Sequence, residues 1–112
     1  MASGVARVKA RRDFLAANSG IRVPTPAFVL LVKQTGLGFS RAGFTVSKKN
    51  GNAVQRNRAK RRLREAARMA MAEAPIASAD HIFIARPLPA ELPFSQLLAH
   101  AQQALEKAEK RL

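Results

Sequence analysis

The hydrophobic and polar positions of this chain predict three strands, at residues 28–33, 41–47 and 80–86. In the first strand five consecutive positions are apolar, and in the second Phe44 and Val46 alternate with Thr45 and Ser47. A period of two is typical of a strand with one buried face. The Gly-rich stretch between the first two strands predicts a turn, so we expect these strands to form a hairpin.

Three other stretches have helical spacing, at residues 10–18, 53–73 and 94–110. One side of the second helix carries only small or apolar residues: Ala59, Leu63, Ala66, Ala67 and Ala70. The third has a comparable stripe: Phe94, Leu97, Leu98, Ala101 and Leu105. The chain has 112 residues, which suits one domain over 1–112. The strand–helix–strand unit 41–86 predicts a parallel pair within a mixed sheet.

Charge divides the chain into two unequal parts. The net charge is +13, and residues 1–64 hold fifteen Lys and Arg against the single acid Asp13. Residues 65–112 hold five Lys and Arg against six acids. Such an excess indicates a polyanionic partner. We expect residues 1–9 to form a flexible basic arm.

Composition excludes several classes of protein. The chain has no Cys, which excludes disulfides and Cys-based metal sites. No apolar run approaches the roughly 20 residues of a membrane span, and the start of the chain has no apolar signal core. We therefore expect an intracellular, cytoplasmic protein that does not associate with membranes.

The densest charge lies in the second helix, where six of the nine residues 56–64 are cationic. On a helical wheel one arc of about 100° forms a cationic ribbon beside the apolar stripe. The ribbon residues are Asn57, Lys60, Arg61, Arg64 and Arg68. No acid lies within this arc, whereas Arg58 and Arg62 point away from it, next to Glu65. Guanidinium groups bind phosphate through paired hydrogen bonds, so the ribbon indicates nucleic-acid binding.

Two alternatives compete with an RNA-binding ribbon. A charged face is commonly only solvated, but such faces usually mix signs. A helix that enters the DNA major groove is the second alternative, and here no partner helix precedes the basic helix.

The ordered run "GFTVSKKNGNAVQRNRAKRRLREAAR", residues 43–68, resembles the signature of the bacterial ribonuclease P protein subunit. Weaker agreement extends from about Arg11 to Lys110. The resemblance implies a single α+β domain with the order α-β-β-β-α-β-α, as in the second domain of ribosomal protein S5. Its mixed sheet would have four strands, the first near residues 21–23. The basic helix would form an unusual left-handed crossover between parallel strands, against the general right-handed rule.

The resemblance also implies a function. The family's protein binds a catalytic RNA that uses Mg²⁺ to remove the 5′ leader of precursor tRNA by endonucleolytic cleavage. The partners would be this RNA and the precursor tRNA, with no further protein required. The chemistry would belong to the RNA, and no catalytic residue or metal ligand is expected in this chain. A structural RNA-binding protein of the ribosomal type, without a role in tRNA processing, is the alternative.

Residue roles follow from the same resemblance. The RNA subunit would be bound by the motif residues and the ribbon that continues them: Arg56, Asn57, Arg58, Lys60, Arg61, Arg64 and Arg68. The leader would lie in a cleft between the first helix and the sheet. Its candidates are Phe14, Val29, Leu31, Thr45, Ser47, Lys48 and Lys49. Strand parity then places Phe28, Leu30, Phe44 and Val46 on the opposite face, beneath the helices.

The chain departs from the family pattern in its aromatic residues. Members often carry a second aromatic one turn after the position of Phe14, where this chain has Ala17 or Asn18, and a Tyr near the position of Leu31. The chain contains no Tyr or Trp. Because base stacking contributes about 1–3 kcal/mol for each base, we expect weaker aromatic capture of the leader. The isolated His81 and His100 are expected to be structural.

Overall fold

Five strands and three helices build the protein, in a computed structural model that describes residues 5–73, 76–87 and 92–112. In chain order they are β1 (Ala6–Arg7), α1 (Arg11–Ala16), β2 (Ile21–Pro24), β3 (Phe28–Gln34), β4 (Arg41–Thr45), α2 (Ala53–Glu73), β5 (Ala79–Ala85) and α3 (Phe94–Lys110). One-turn 3₁₀ helices follow α1 at Ala17–Ser19 and precede α2 at Lys48–Asn50. The elements form one α+β domain, and within the described residues no helix is long and apolar enough to cross a membrane.

The sheet is mixed, with the strand order β1-β4-β5-β3-β2. The predicted hairpin of β3 and β4 is wrong, because β5 lies between them, antiparallel to β3 and parallel to β4. The first five residues of β5 are all buried, which suits a strand covered on both faces and therefore a central position. The parallel β4–α2–β5 unit is confirmed. The left hand of this crossover stays a prediction from the resemblance.

The N-terminal segment differs from the flexible arm expected over residues 1–9. Ala6 and Arg7 pair in parallel with β4, so the sheet has five strands where four were expected. Backbone hydrogen bonds from Ala6 N to Ser40 O (3.0 Å) and from Val8 N to Ala42 O (2.9 Å) hold the segment, and Val8 is buried. Residues 1–4 lie outside the described part of the chain.

Alternation along the strands divides the core into two layers. Helices α2 and α3 cover one face, where Phe28, Leu30 and Phe44 pack as predicted. The Phe83 ring lies 5.4 Å from those of Phe28 and Phe44, centroid to centroid. β4 ends at Thr45, so Val46, which was expected beneath the helices, lies beyond the strand and is half-buried.

The other face forms a smaller layer beneath α1. Val29, Leu31 and Ile82 are buried there with Val8 and Ala17, and Phe14 packs against them. The helix α1 has only six residues, which is too short to be stable alone, so its position depends on these contacts.

An ion-pair network fastens α1 to the sheet. Arg41 of β4 donates two hydrogen bonds of 2.7 Å to the carboxylate of Asp80 in β5. Its Nη2 also lies 3.4 Å from Asp13 Oδ2 of α1. Hydrogen bonding to Asp80 is the main cause that raises the pKa of Arg41. Asp13 thus ties α1 to β4 through Arg41.

His81 is fully buried in β5, and its Nδ1 lies 3.2 Å from the carbonyl oxygen of Arg41. Its Nε2 has no hydrogen-bond partner among the described residues. Burial is the main cause that lowers the pKa of His81 below its usual 6.5. The folded state therefore takes up this proton at lower pH than the unfolded state does, and stability is complete above pH 6.5 and lost as the pH falls below it.

We expect the free energy of unfolding to fall by up to about 1.4 kcal/mol between pH 7.5 and 5.5 through His81. Urea unfolding at the two pH values measures this change. In His81→Leu the difference should shrink, because the variant has no imidazole to protonate at this position. A variant that loses as much stability as the parent protein would show that other groups cause the acid sensitivity.

Candidate RNA-binding surfaces

The start of α2 is defined by a reciprocal capping box. Asn52 Oδ1 accepts a hydrogen bond from Gln55 N, and Gln55 Oε1 accepts one from Asn52 N, both at 2.9 Å. Gly51, at φ +108°, leads into this cap, and a Cβ there would lie 2.0 Å from Gln55 Oε1. The cap fixes where the basic helix begins, and its first turn contains no acid.

The ribbon side of α2 is open to solvent where it carries most of its charge. Asn57, Arg61 and Arg64 are exposed and Lys60 is half-buried, while Leu63 and Ala66 are buried on the apolar side beside the ribbon. Among the described residues no acid pairs with Lys60, Arg61 or Arg64. These cations lie in the second to fourth turns of α2, after a first turn that also contains no acid. The resulting field favours a bound anion.

Arg68 differs from the rest of the expected ribbon. Its guanidinium donates two hydrogen bonds to Glu65, one from Nε at 3.0 Å, and this bonding lowers the pKa of Glu65. The expectation that no acid compensates the ribbon is therefore wrong at its C-terminal end, because residues three apart on a helix are neighbours. Both side chains are exposed, so the pair is a weak one.

The remaining motif residues lie around this ribbon. Arg62 points away as predicted, and its Nη2 donates to the carbonyl oxygen of Leu92, just before α3. Arg56 is half-buried, and its Nη1 makes a long hydrogen bond of 3.4 Å to Gly51 O, whereas Arg58 is exposed. Lys48 and Lys49 are exposed in the 3₁₀ turn before the cap and extend the positive surface beyond α2.

A second surface lies across the sheet, where Phe14 packs over Gly43. A Cβ at Gly43 would lie 2.8 Å from two Phe14 ring atoms and 3.0 Å from Ile82 Cδ1. The ring therefore lies directly on the backbone of β4, because this position has no side chain. Phe14 is half-buried, which leaves part of the ring open to a ligand.

The structure separates the other leader candidates into two groups. Val29 and Leu31 lie on the α1 face as predicted, but they are 6% and 2% exposed. They form the floor beneath Phe14 and Ala17 and are not accessible for direct contact. Thr45, on the same face as Gly43, is exposed, and so is Ser47, which lies beyond the strand.

Sequence reasoning missed three parts of these surfaces. Gly43 carries a signal, because a glycine inside a strand often marks close approach of another group. The Asn52–Gln55 box was also readable, as an N-cap residue followed three positions later by Gln. The pairing of Arg41 with Asp80 had no local signal, because the two residues are brought together only by the parallel strands.

Comparison with known proteins agrees with this arrangement. The chain matches the model of the family described as Ribonuclease P over residues 3–109. It is 45% identical to the ribonuclease P protein component of Erythrobacter litoralis, across 90% of this chain and 84% of the relative. The corresponding protein of Gluconacetobacter diazotrophicus is 41% identical, across 96% of this chain and 95% of the relative.

Solved structures give the same result for the fold. The ribonuclease P protein of Thermotoga maritima superposes with a TM-score of 0.73 at 30% identity, covering 95% of this chain and 96% of that one. The ribonuclease P protein of Staphylococcus aureus superposes with a TM-score of 0.69 at 30% identity, covering 96% of this chain and 94% of that one.

The fold and the matched family together define a small α+β protein of the RNA-binding class, which acts as part of a ribonucleoprotein endoribonuclease. The chain belongs to the family of bacterial ribonuclease P protein components.

The capping box predicts a specific sensitivity at Gly51. Gly51→Ala should lower the free energy of unfolding by about 1–3 kcal/mol, because φ +108° is strained for any residue with a Cβ. Gly36→Ala is the matched control: Gly36 also has a positive φ, +73°, but a Cβ at this position would have no other atom within 4 Å. Urea unfolding of both variants measures the difference. Equal losses of unfolding free energy in the two variants would show that the contact with Gln55 does not contribute to the destabilisation of Gly51→Ala.

Proposed function

We propose that this chain binds the catalytic RNA of ribonuclease P through the ribbon side of α2 and holds the 5′ leader of precursor tRNA at the α1 face. Removal of the leader, with Mg²⁺ bound at the RNA active site, gives the mature 5′ end. The observation that carries the proposal is the cationic side of α2, where Lys60, Arg61 and Arg64 have no acidic partner among the described residues, while the apolar side of the same helix is buried in the domain core. The named family supports the assignment of these partners.

Binding of the RNA subunit is assigned to α2 because its charges share one side of a rigid element. Lys60, Arg61 and Arg64 repel one another in the free protein, and phosphate groups relieve this repulsion. Arg56, Asn57 and Arg58 add donors in the first turns, and the Asn57 amide can also accept a hydrogen bond from a ribose 2′-OH.

Leader binding is assigned to the opposite face. The partly open Phe14 ring offers a surface for one unstacked base, with Thr45 and Ser47 as polar neighbours along β4 and beyond its end. Lys48 and Lys49 follow directly and offer charge to the leader backbone. Since Ala17 is fully buried and Leu31 is aliphatic, Phe14 is the single aromatic candidate in this group of residues.

The proposal is tested by adding the protein to the cognate RNA and precursor tRNA at low Mg²⁺. We expect faster 5′ maturation than with RNA alone. No gain would favour the structural RNA-binding alternative, and cleavage by the protein without RNA would overturn the assignment of the chemistry to the RNA.

Arg61→Ala should weaken binding of the RNA subunit. One lost phosphate contact should also reduce the slope of log affinity against log salt by about 0.7–0.9. Lys107→Ala, an exposed cation of α3 outside the ribbon, is the control and should leave the slope unchanged. Filter binding across a salt series measures both. A slope unaltered by Arg61→Ala would show that this side chain makes no phosphate contact.

Gly43→Ala should displace the Phe14 ring, because the added methyl would overlap it. Overpacking of this kind costs about 1–3 kcal/mol of stability, and the preference for precursor over mature tRNA should fall as well. Adding Phe14→Ala removes the clash, so the double variant should be more stable than the sum of the single losses predicts. Additive losses in urea unfolding would contradict the packing of Phe14 on Gly43.

A further inference from the structure

A groove of about 180 Å³ lies between the edge strand β1 and the ribbon side of α2. Its floor is apolar and consists of Ala42 and Phe44 from β4 with Ala67 and Met71 from α2. Its walls carry Arg7 from β1 and Arg64 from α2. The groove exists because Ala6 and Arg7 form a strand, which supplies the second wall.

The size and lining of this groove fit an aromatic ring that bears a negative charge. An apolar cavity of roughly 150 Å³ is large enough to bind benzene, so 180 Å³ accommodates a ring system of the size of a base. Phe44 is half-buried and offers apolar surface for a ring to pack on, while guanidinium groups bind phosphate. A nucleotide combines these two features.

The charges around the groove are available for such a ligand. Among the described residues neither Arg7 nor Arg64 has an acidic partner. Arg68, which also lines the groove, is held by Glu65 and therefore contributes mainly its aliphatic stem. Each wall thus contributes one arginine that has no acidic partner among the described residues.

The groove lies on the opposite side of the sheet from the Phe14 surface. Ala42 and Phe44 pack in the layer of α2 and α3, whereas Gly43 between them faces Phe14. A leader held at Phe14 cannot enter the groove without passing around the sheet edge. RNA bound along the ribbon of α2, in contrast, lies directly beside it.

We propose that this groove binds one unpaired nucleotide of the catalytic RNA, with the base on the apolar floor and the phosphate between Arg7 and Arg64. This inference rests on the proposed function, because it takes the RNA on the α2 side to be the catalytic subunit. The site would anchor single-stranded RNA beside the phosphate contacts of the ribbon.

The first test uses the full chain and adenosine 5′-monophosphate, followed by NMR. Saturable binding should shift the amide signals of Ala42, Phe44 and Ala67, and ribose 5-phosphate should bind at least about tenfold more weakly because it has no base. Arg7→Gln should weaken binding of the mononucleotide by about tenfold, which corresponds to about 1.4 kcal/mol. Arg22→Gln is the matched control, since Arg22 is an exposed cation on β2 at the opposite sheet edge, and it should leave binding unchanged.

Several results would overturn the proposal. Equal binding of ribose 5-phosphate would define an anion site without base recognition, and shifts confined to Gly43 and Thr45 would place the ligand at the α1 face. Shifts of the groove signals that depend on protein concentration alone would show that a second copy of the chain fills it. Absence of saturable binding would also overturn it.

The second test uses the assembled complex with the catalytic RNA and dimethyl sulfate probing. At saturating protein, at least one unpaired adenine or cytosine should be protected by the parent protein and by Arg22→Gln but reactive with Arg7→Gln. Complex formation with identical protection by all three proteins would overturn the nucleotide site and leave the proposed function intact. Failure of the parent protein to bind the RNA would overturn the proposed function, and with it this inference.

Discussion

The central constraint on the domain is the repulsion among the cations of α2. The rest of the structure must hold these like charges side by side on one helix. A helix with this charge and no acid in its first turns is unstable alone, because its like charges lie one turn apart and repel one another. Two features oppose this. The capping box fixes the first turn, and the small residues Ala66, Ala67 and Ala70 pack the apolar side of the helix closely against the domain core. Burial, which is insensitive to charge, keeps the ribbon in place until an anion arrives.

The two faces of the sheet are stabilised by different means. The α2–α3 layer is a large apolar core built from long helices, with Phe28 and Phe83 at its centre. The α1 layer is small, and its short helix depends on Phe14 packing on Gly43 and on the bridge from Arg41 to Asp13 and Asp80. This division places the rigid element at the ribbon and the more weakly held element at the α1 face.

Much of this organisation could be predicted from local sequence patterns. The spans of α2 and α3 and the separation of Phe28 from Val29 onto different faces follow from periodicity, which depends only on residues near in sequence. The position of β5 between β3 and β4 could not be read in this way, because strand pairing is a long-range property and both arrangements give the same alternation. The strand Ala6–Arg7 is too short to show any period.

Prediction of the candidate site missed one local pair and one long-range packing contact. The ribbon was predicted by the helical wheel. The pairing of Arg68 with Glu65, three residues earlier on the helix, could also have been predicted from the sequence. The accessibility of Leu31 depends on how closely α1 packs on the sheet. The sequence of β3 alone cannot predict this distance.

The single sheet has a further consequence for an RNA-bound state. Phe44 and Thr45 are neighbours in β4, yet their side chains point to opposite faces, toward the α2 layer and the α1 face respectively. The neighbouring strand β5 is hydrogen-bonded to β4 on one edge and to β3 on the other, so the sheet acts as a spacer of fixed thickness. Under the proposed function, together with the groove at Phe44, two different RNA molecules would be held at a set distance on the two sides of one strand. The domain would then work as a gauge that sets the position of the substrate relative to the catalytic RNA without contributing to the chemistry.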